Sequence, residues 1–105
     1  MKTLLYIVAF FCLSVQSLLA QTVSEKAEKA YTEDKYQEAV TLYEQLIKEG
    51  QVSSDLYYNL GNSYFKSGNL GKSVLSYERA LLLDPNNAEA ETNLAFVNSK
   101  IKDKM

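Results

Sequence analysis

From Leu4 to Val15 the chain is apolar with one polar interruption at Ser14, whereas beyond Ala20 apolar residues thin out and become periodic. Ala27, Ala30 and Tyr31 fall at helical spacing, and Ala39, Val40, Tyr43, Leu46 and Ile47 resume it after a polar break at Thr32–Lys35. No Gly or Pro interrupts the chain before Gly50, which suits the left-handed residue that closes a helix. A second helical pair is predicted over Asp55–Lys66 and Leu70–Leu83, divided by Ser67-Gly68-Asn69 and ended by Asp84-Pro85. Asn86-Asn87 can cap a fifth helix from Ala88, whose apolar stripe is Ala90, Leu94, Val97 and Ile101. Thr22 with Glu25 three residues later predicts a capping box at the start of the first helix. No segment alternates in the manner of a strand, so the expected class is all-α.

Met1–Ala20 has the order of a secretory signal peptide. Lys2 opens it, the apolar run follows, and Gln16-Ser17 precede Leu18-Leu19-Ala20. Cleavage is expected after Ala20, with Ser17 as a second position. The alternative is an uncleaved anchor facing the periplasm, but a span needs about 20 apolar residues and Ser14, Gln16 and Ser17 interrupt this one. The expected location is therefore the periplasm or the exterior of a bacterium. Cys12, the single cysteine, lies inside the leader, so the exported chain would carry neither thiol nor disulfide.

Composition narrows the chemistry further. Eleven Lys and Arg against thirteen Asp and Glu give a net charge of −2, which argues against a nucleic-acid partner. The absence of His removes the commonest general base and every Ser-His-Asp or Cys-His arrangement. Gly71-Lys72-Ser73 resembles the end of a phosphate loop, but Lys66 stands where its first glycine belongs and no strand precedes it. Asp84-Pro85-Asn86-Asn87 resembles the start of a calcium loop, yet Glu89 and Ala95 replace its Gly and closing Glu. Glu25, Glu28, Glu33 and Asp34 interleave with Lys26, Lys29 and Lys35 as a solvated face does. No catalytic residue, cofactor or metal is expected, and the chain does not read as an enzyme.

What remains is a repeat. Tyr57, Leu60, Gly61 and Tyr64, followed by Tyr77, Ala80 and Pro85, match the spacing W-x2-L-G-x2-Y…A-x3-F…P. This resembles the tetratricopeptide repeat, a helical hairpin of about 34 residues. Ser73 departs from the preferred Ala, and its hydroxyl is expected to bond back to the preceding turn. Shifting by one repeat places Ala39 on Ser73, Tyr43 on Tyr77, Ala27 on Gly61 and Tyr31 on Phe65, so residues 21–54 form a divergent first repeat. The resemblance implies an α-solenoid: a leader at 1–20, repeats at 21–54 and 55–88, and a capping helix at 89–105. Small Gly61 and Ala80 let the paired helices approach, Gly68 makes the turn, and Asp34 does so less sharply.

The same resemblance implies a concave groove, lined by the first helix of each pair, that holds a protein or peptide. By position the partner-binding residues are Glu28, Tyr31, Asp55, Tyr58, Asn62, Phe65 and Lys66, with Ser24, Thr32 and Phe96 nearby. Tyr31 and Phe65 fit packing against the second helices equally well. A subtype that grips a C-terminal carboxylate needs basic residues where this chain has Ser24, Glu28, Glu89 and Asn93, with only Asn59 in keeping. That activity is not implied. Repeat arrays are expected to need about three units, so self-association is an open alternative, and membrane contact follows only from a retained leader. The order of leader and repeats also resembles the exported repeat protein of bacterial Bat-type aerotolerance operons.

Overall fold

The computed structural model describes residues 1–105 as five helices and no strand. They are α1 (Lys2–Thr32), α2 (Tyr36–Lys48), α3 (Ser54–Lys66), α4 (Leu70–Leu83) and α5 (Ala88–Lys104). α1 with α2 and α3 with α4 form antiparallel hairpins, and α5 lies against α4 and the near side of α3. Each hairpin buries one apolar face. The first core comprises Ala27, Ala30, Ala39, Val40, Tyr43, Leu46, Leu60 and Tyr64; the second comprises Tyr77, Ala80, Ala90 and Val97. Tyr57 packs against both, so α3 joins the two hairpins into one stack.

Three helix ends share one device. The residue after the last turn takes positive φ at Asp34 (63°), Gly50 (91°) and Gly68 (90°). In each case two backbone N–H groups fold back onto open carbonyls: Lys35 N donates to Ala30 O, Gln51 N to Leu46 O and Asn69 N to Tyr64 O. Asp34 adopts the left-handed conformation at some steric cost, and its carboxylate accepts from the Tyr36 hydroxyl at 2.7 Å.

α1 differs from the expected leader and separate first helix. It is one unbroken helix of 31 residues, because no Gly or Pro lies in the segment to stop it. The capping box at Thr22 and Glu25 does not form: with the helix continuing through, the Thr22 hydroxyl donates to Leu18 O at 3.0 Å. Packing is uneven along its length. Residues 2–19 are exposed, and contact with the first core begins at Ala20 and Val23. α1 is the one helix long and apolar enough to cross a membrane, a test that an N-terminal signal sequence passes equally.

α5 follows its expected stripe. Ala90 and Val97 are buried and Leu94 and Ile101 half-buried against the second core, while Glu91, Thr92, Ala95, Ser99 and Lys102 face outward. Its start is held by Asn87, whose Oδ1 accepts from Ala90 N at 3.1 Å. Asn87 Nδ2 donates to Ser54 Oγ at 2.8 Å, and Ser54 Oγ donates to Ala80 O at 2.8 Å. One side chain thus ties the starts of α3 and α5 to the end of α4. Asn87→Ala removes the cap and this bridge together, with an expected loss of about 1–2 kcal/mol. Urea unfolding checks it; a loss below about 0.3 kcal/mol would show the bridge to be idle.

Candidate functional site: the concave cleft

The inner surface is set by α3, whose residues four apart share a face. Tyr58, Asn62, Phe65 and Lys66 project from it, Tyr31 approaches from α1, and Asn93 and Phe96 approach from α5. Together with Tyr77 and Val97 these side chains enclose a cleft of about 260 Å³. Five of the seven residues expected from sequence (Tyr31, Tyr58, Asn62, Phe65 and Lys66) meet here. Glu28 lies in an adjoining hollow with Ser24, Thr32, Tyr43 and Asn59, connected to the cleft through Tyr31 and Asn62. Asp55 lies farther along, beside Gln21, Ser24, Val52 and Asn59. It precedes Asn62 by two turns of α3, a rise of about 10 Å, so it cannot join the central group. The three hollows run as one groove.

Two rings play a double part. Phe65 is half-buried against the second core and meets Phe96 edge to face at 5.6 Å. Tyr31 is half-buried against the first core and meets Tyr36 in the same manner at 5.4 Å. Both therefore pack and line the cleft.

A polar network forms the floor. Asn93 Nδ2 donates to Asn62 Oδ1 at 3.0 Å and to the Tyr58 hydroxyl at 3.3 Å. The Tyr77 hydroxyl donates to Asn62 Oδ1 through a short contact. Tyr77 is thereby a core residue whose polar end reaches the groove. Gly61 permits this: a Cβ there would stand 2.6 Å from Tyr77 Cε1. Ser73 departs from expectation. Its hydroxyl donates across the hairpin to Gly61 O at 2.8 Å, because the close approach of α3 and α4 brings that carbonyl within reach.

Asn93 and Asn59 were not among the residues expected to bind, although the repeat spacing places Asn93 at the same position in α5 that Asn59 holds in α3. That spacing places both residues only among the positions compared with the carboxylate-gripping subtype.

Burial pushes the hydroxyls of Tyr43 and Tyr77 up to about 12. At Tyr43 the charge of Glu28 and the neighbouring Tyr31 add to this, and at Tyr77 burial outweighs the lowering effect of the polar side chains around its hydroxyl. Both stay protonated across the physiological range, so Tyr77 remains a donor to Asn62. Because the folded values lie above the ordinary 10.0, this stabilisation is complete below pH 10 and is lost as pH rises toward 12. Tyrosinate absorbance of the folded chain is expected to rise in two phases, the later one moving to pH 10 on adding denaturant. A single phase in the folded protein would contradict the packing of both rings.

Stacked helical hairpins with a continuous inner groove define an α-helical repeat protein. The family model described as Tetratricopeptide repeat matches residues 54–87, the α3–α4 hairpin with the turn that follows it. Tetratricopeptide repeat protein 16 of Homo sapiens and of Macaca fascicularis is 31% identical over 86 residues, which is 82% of this chain and 10% of that protein. A protein SGT1 homolog of Oryza sativa subsp. japonica is 30% identical over 66 residues, or 63% of this chain and 18% of that one. The chain thus spans about a tenth of the length of the first of these relatives. A solved structure described as the first TPR of Spaghetti (RPAP3) bound to HSP90 peptide SRMEEVD is 20% identical, aligning over 79% of this chain and 93% of that one at a TM-score of 0.46.

Proposed function

We propose that the protein is an exported, non-catalytic scaffold that holds a protein or peptide segment in the groove of α1, α3 and α5. The observation that carries this reading is the convergence of Tyr31, Tyr58, Asn62, Phe65 and Lys66 with Asn93 and Phe96 in one open cleft. Such a surface offers aromatic area and oriented hydrogen-bonding groups together, the combination that protein contacts favour. Export is supported by the leader pattern and by packing that begins only at Ala20. The polar outward face of α5 supports a solvated cap more than a surface for self-association. Assignment to the Bat-type aerotolerance group rests on the order of leader and repeat alone.

Affinity capture from the envelope of the source organism tests the scaffold. Lys66 and Phe96 are exposed, so Lys66→Ala with Phe96→Ala is expected to keep helicity and lose the captured protein. Undiminished capture by that variant would remove the groove from the function. The N-terminal residue of protein recovered from cells tests export: Gln21 or Leu18 supports processing, and Met1 supports a retained anchor.

A further inference from the structure

The hydrogen bonds on the floor of the cleft leave an uneven remainder. Asn62 Oδ1 already accepts from Tyr77 and from Asn93, and the Tyr58 oxygen accepts from Asn93. The unspent donors are the Tyr58 O–H, the Asn62 amide N–H2, the Tyr31 hydroxyl and the Lys66 ammonium, against unspent acceptors that are all neutral oxygens, the Asn93 amide and the Tyr77 hydroxyl among them. No acidic side chain lines this cleft. The two ion pairs of the chain involve Lys29, Lys35 and Glu33, so Lys66 has no carboxylate partner. Lys100 is also unpaired, and its Nζ stands 5.2 Å from the centre of the Phe96 ring, which in turn meets Phe65. Both carboxylates of the groove, Glu28 and Asp55, lie in the adjoining hollows toward its other end.

We infer that this cleft is a subsite for an acidic side chain on an extended segment of a partner protein, with the neighbouring apolar side chain of that segment seated on Phe65 and Phe96. The inference rests on the groove reading above and gives it a ligand chemistry. A carboxylate matches the set because it only accepts hydrogen bonds, and bonds from charged or oriented donors to it are the strong kind. The aromatic pair beside Lys66 and Lys100 sets the order, with carboxylate and apolar group adjacent along the chain. The groove continues past Tyr31 and Asn62 toward Glu28, which favours a segment passing through over a chain end stopping there. The same carboxylates at the far end repel a second acidic cluster, so the segment runs with its acidic part toward Lys66.

Four synthetic peptides titrated into the isotope-labelled full chain in detergent test this, read by shifts of backbone amide resonances. Three are octapeptides blocked at both ends, with Glu-Phe-Glu, Gln-Phe-Gln or Lys-Phe-Lys at the centre; the fourth is the first of these with a free C-terminus. The blocked acidic peptide is expected to shift amides of α3 and α5 and to bind about tenfold more tightly than its Gln counterpart, more so at low salt. Lys66→Glu with Lys100→Glu is expected to reverse the order in favour of the Lys peptide; both positions are exposed, so the fold is retained. Equal binding of the three blocked peptides overturns the inference while leaving the groove reading intact. Binding by the free C-terminus alone overturns it in favour of a terminal carboxylate. Shifts confined to the outer face of α2 and α4 overturn both readings. No shift from any peptide overturns the inference, and the capture experiment then decides the groove reading separately.

Discussion

Tyr77→Ala is expected to destabilise the folded chain by about 3–5 kcal/mol, the range for deleting a large buried ring. Tyr77 is 1% exposed and the largest fully buried side chain of the protein. It fills the space between α3 and α4, touches Tyr58 at 6.0 Å between ring centres, and anchors the second core against Ala80, Ala90 and Val97. Domains of this size are held by about 0.05–0.15 kcal/mol per residue, so such a loss consumes much of the total. The hydroxyl adds a separable part. Tyr77→Phe keeps the ring and removes one donor to Asn62, which still accepts from Asn93, so its cost is expected near 1 kcal/mol. Thermal and urea unfolding followed by circular dichroism measure both. A Tyr77→Ala loss below about 1 kcal/mol would mean that the ring does not hold the second core together.

Gly61→Ala gives the second large effect, and here two principles predict opposite signs. Helix propensity alone would make the substitution stabilising by about 0.5–1 kcal/mol, since Gly61 lies in the middle of α3. Packing says otherwise. The added carbon would meet Tyr77 Cε1 at 2.6 Å and Cδ1 at 2.7 Å, and that ring is enclosed and tethered by its hydroxyl. Overpacking a rigid site costs about 1–3 kcal/mol beyond what propensity returns. A net loss of that order is therefore expected, and a larger one for Gly61→Val. The two sites are in contact, so their effects should not add: with Tyr77→Leu in place, Gly61→Ala is expected to cost far less. A stabilising Gly61→Ala in the natural background would contradict the close approach of α3 and α4.

Much of this was written in the local pattern. Gly68 and Asp34 stand one repeat apart and both take positive φ, as the turn between paired helices demands. The helices α2, α4 and α5 follow from apolar spacing, and the stripe of α5 is buried as its periodicity required. What local pattern could not supply depends on distances between helices. The partner of the Ser73 hydroxyl is a carbonyl on α3, fixed by the approach that Gly61 allows. Asn93 belongs to the cleft because α5 folds back beside α3, which the repeat spacing from Asn59 indicates but the local pattern around Asn93 does not. The continuity of α1 across residues 2–32 has a different origin. Caps operate where a helix must begin, and with helix-compatible residues on both sides Thr22 has no such role. The groove residues were recognisable as a helix face; their division into a donor-rich centre with acidic hollows beyond it was not.

In-cell photo-crosslinking compares the two sides of the stack most directly. A photoreactive residue in place of Phe96 tests the inner cleft, and one in place of Leu75 tests the outer groove that Leu75 lines with Glu44, Tyr57, Tyr64 and Arg79. Both positions are exposed, so either can reach a bound protein. The expected result is a discrete adduct from position 96 and none from position 75. Adducts from position 75 alone would contradict the concave cleft as the binding surface.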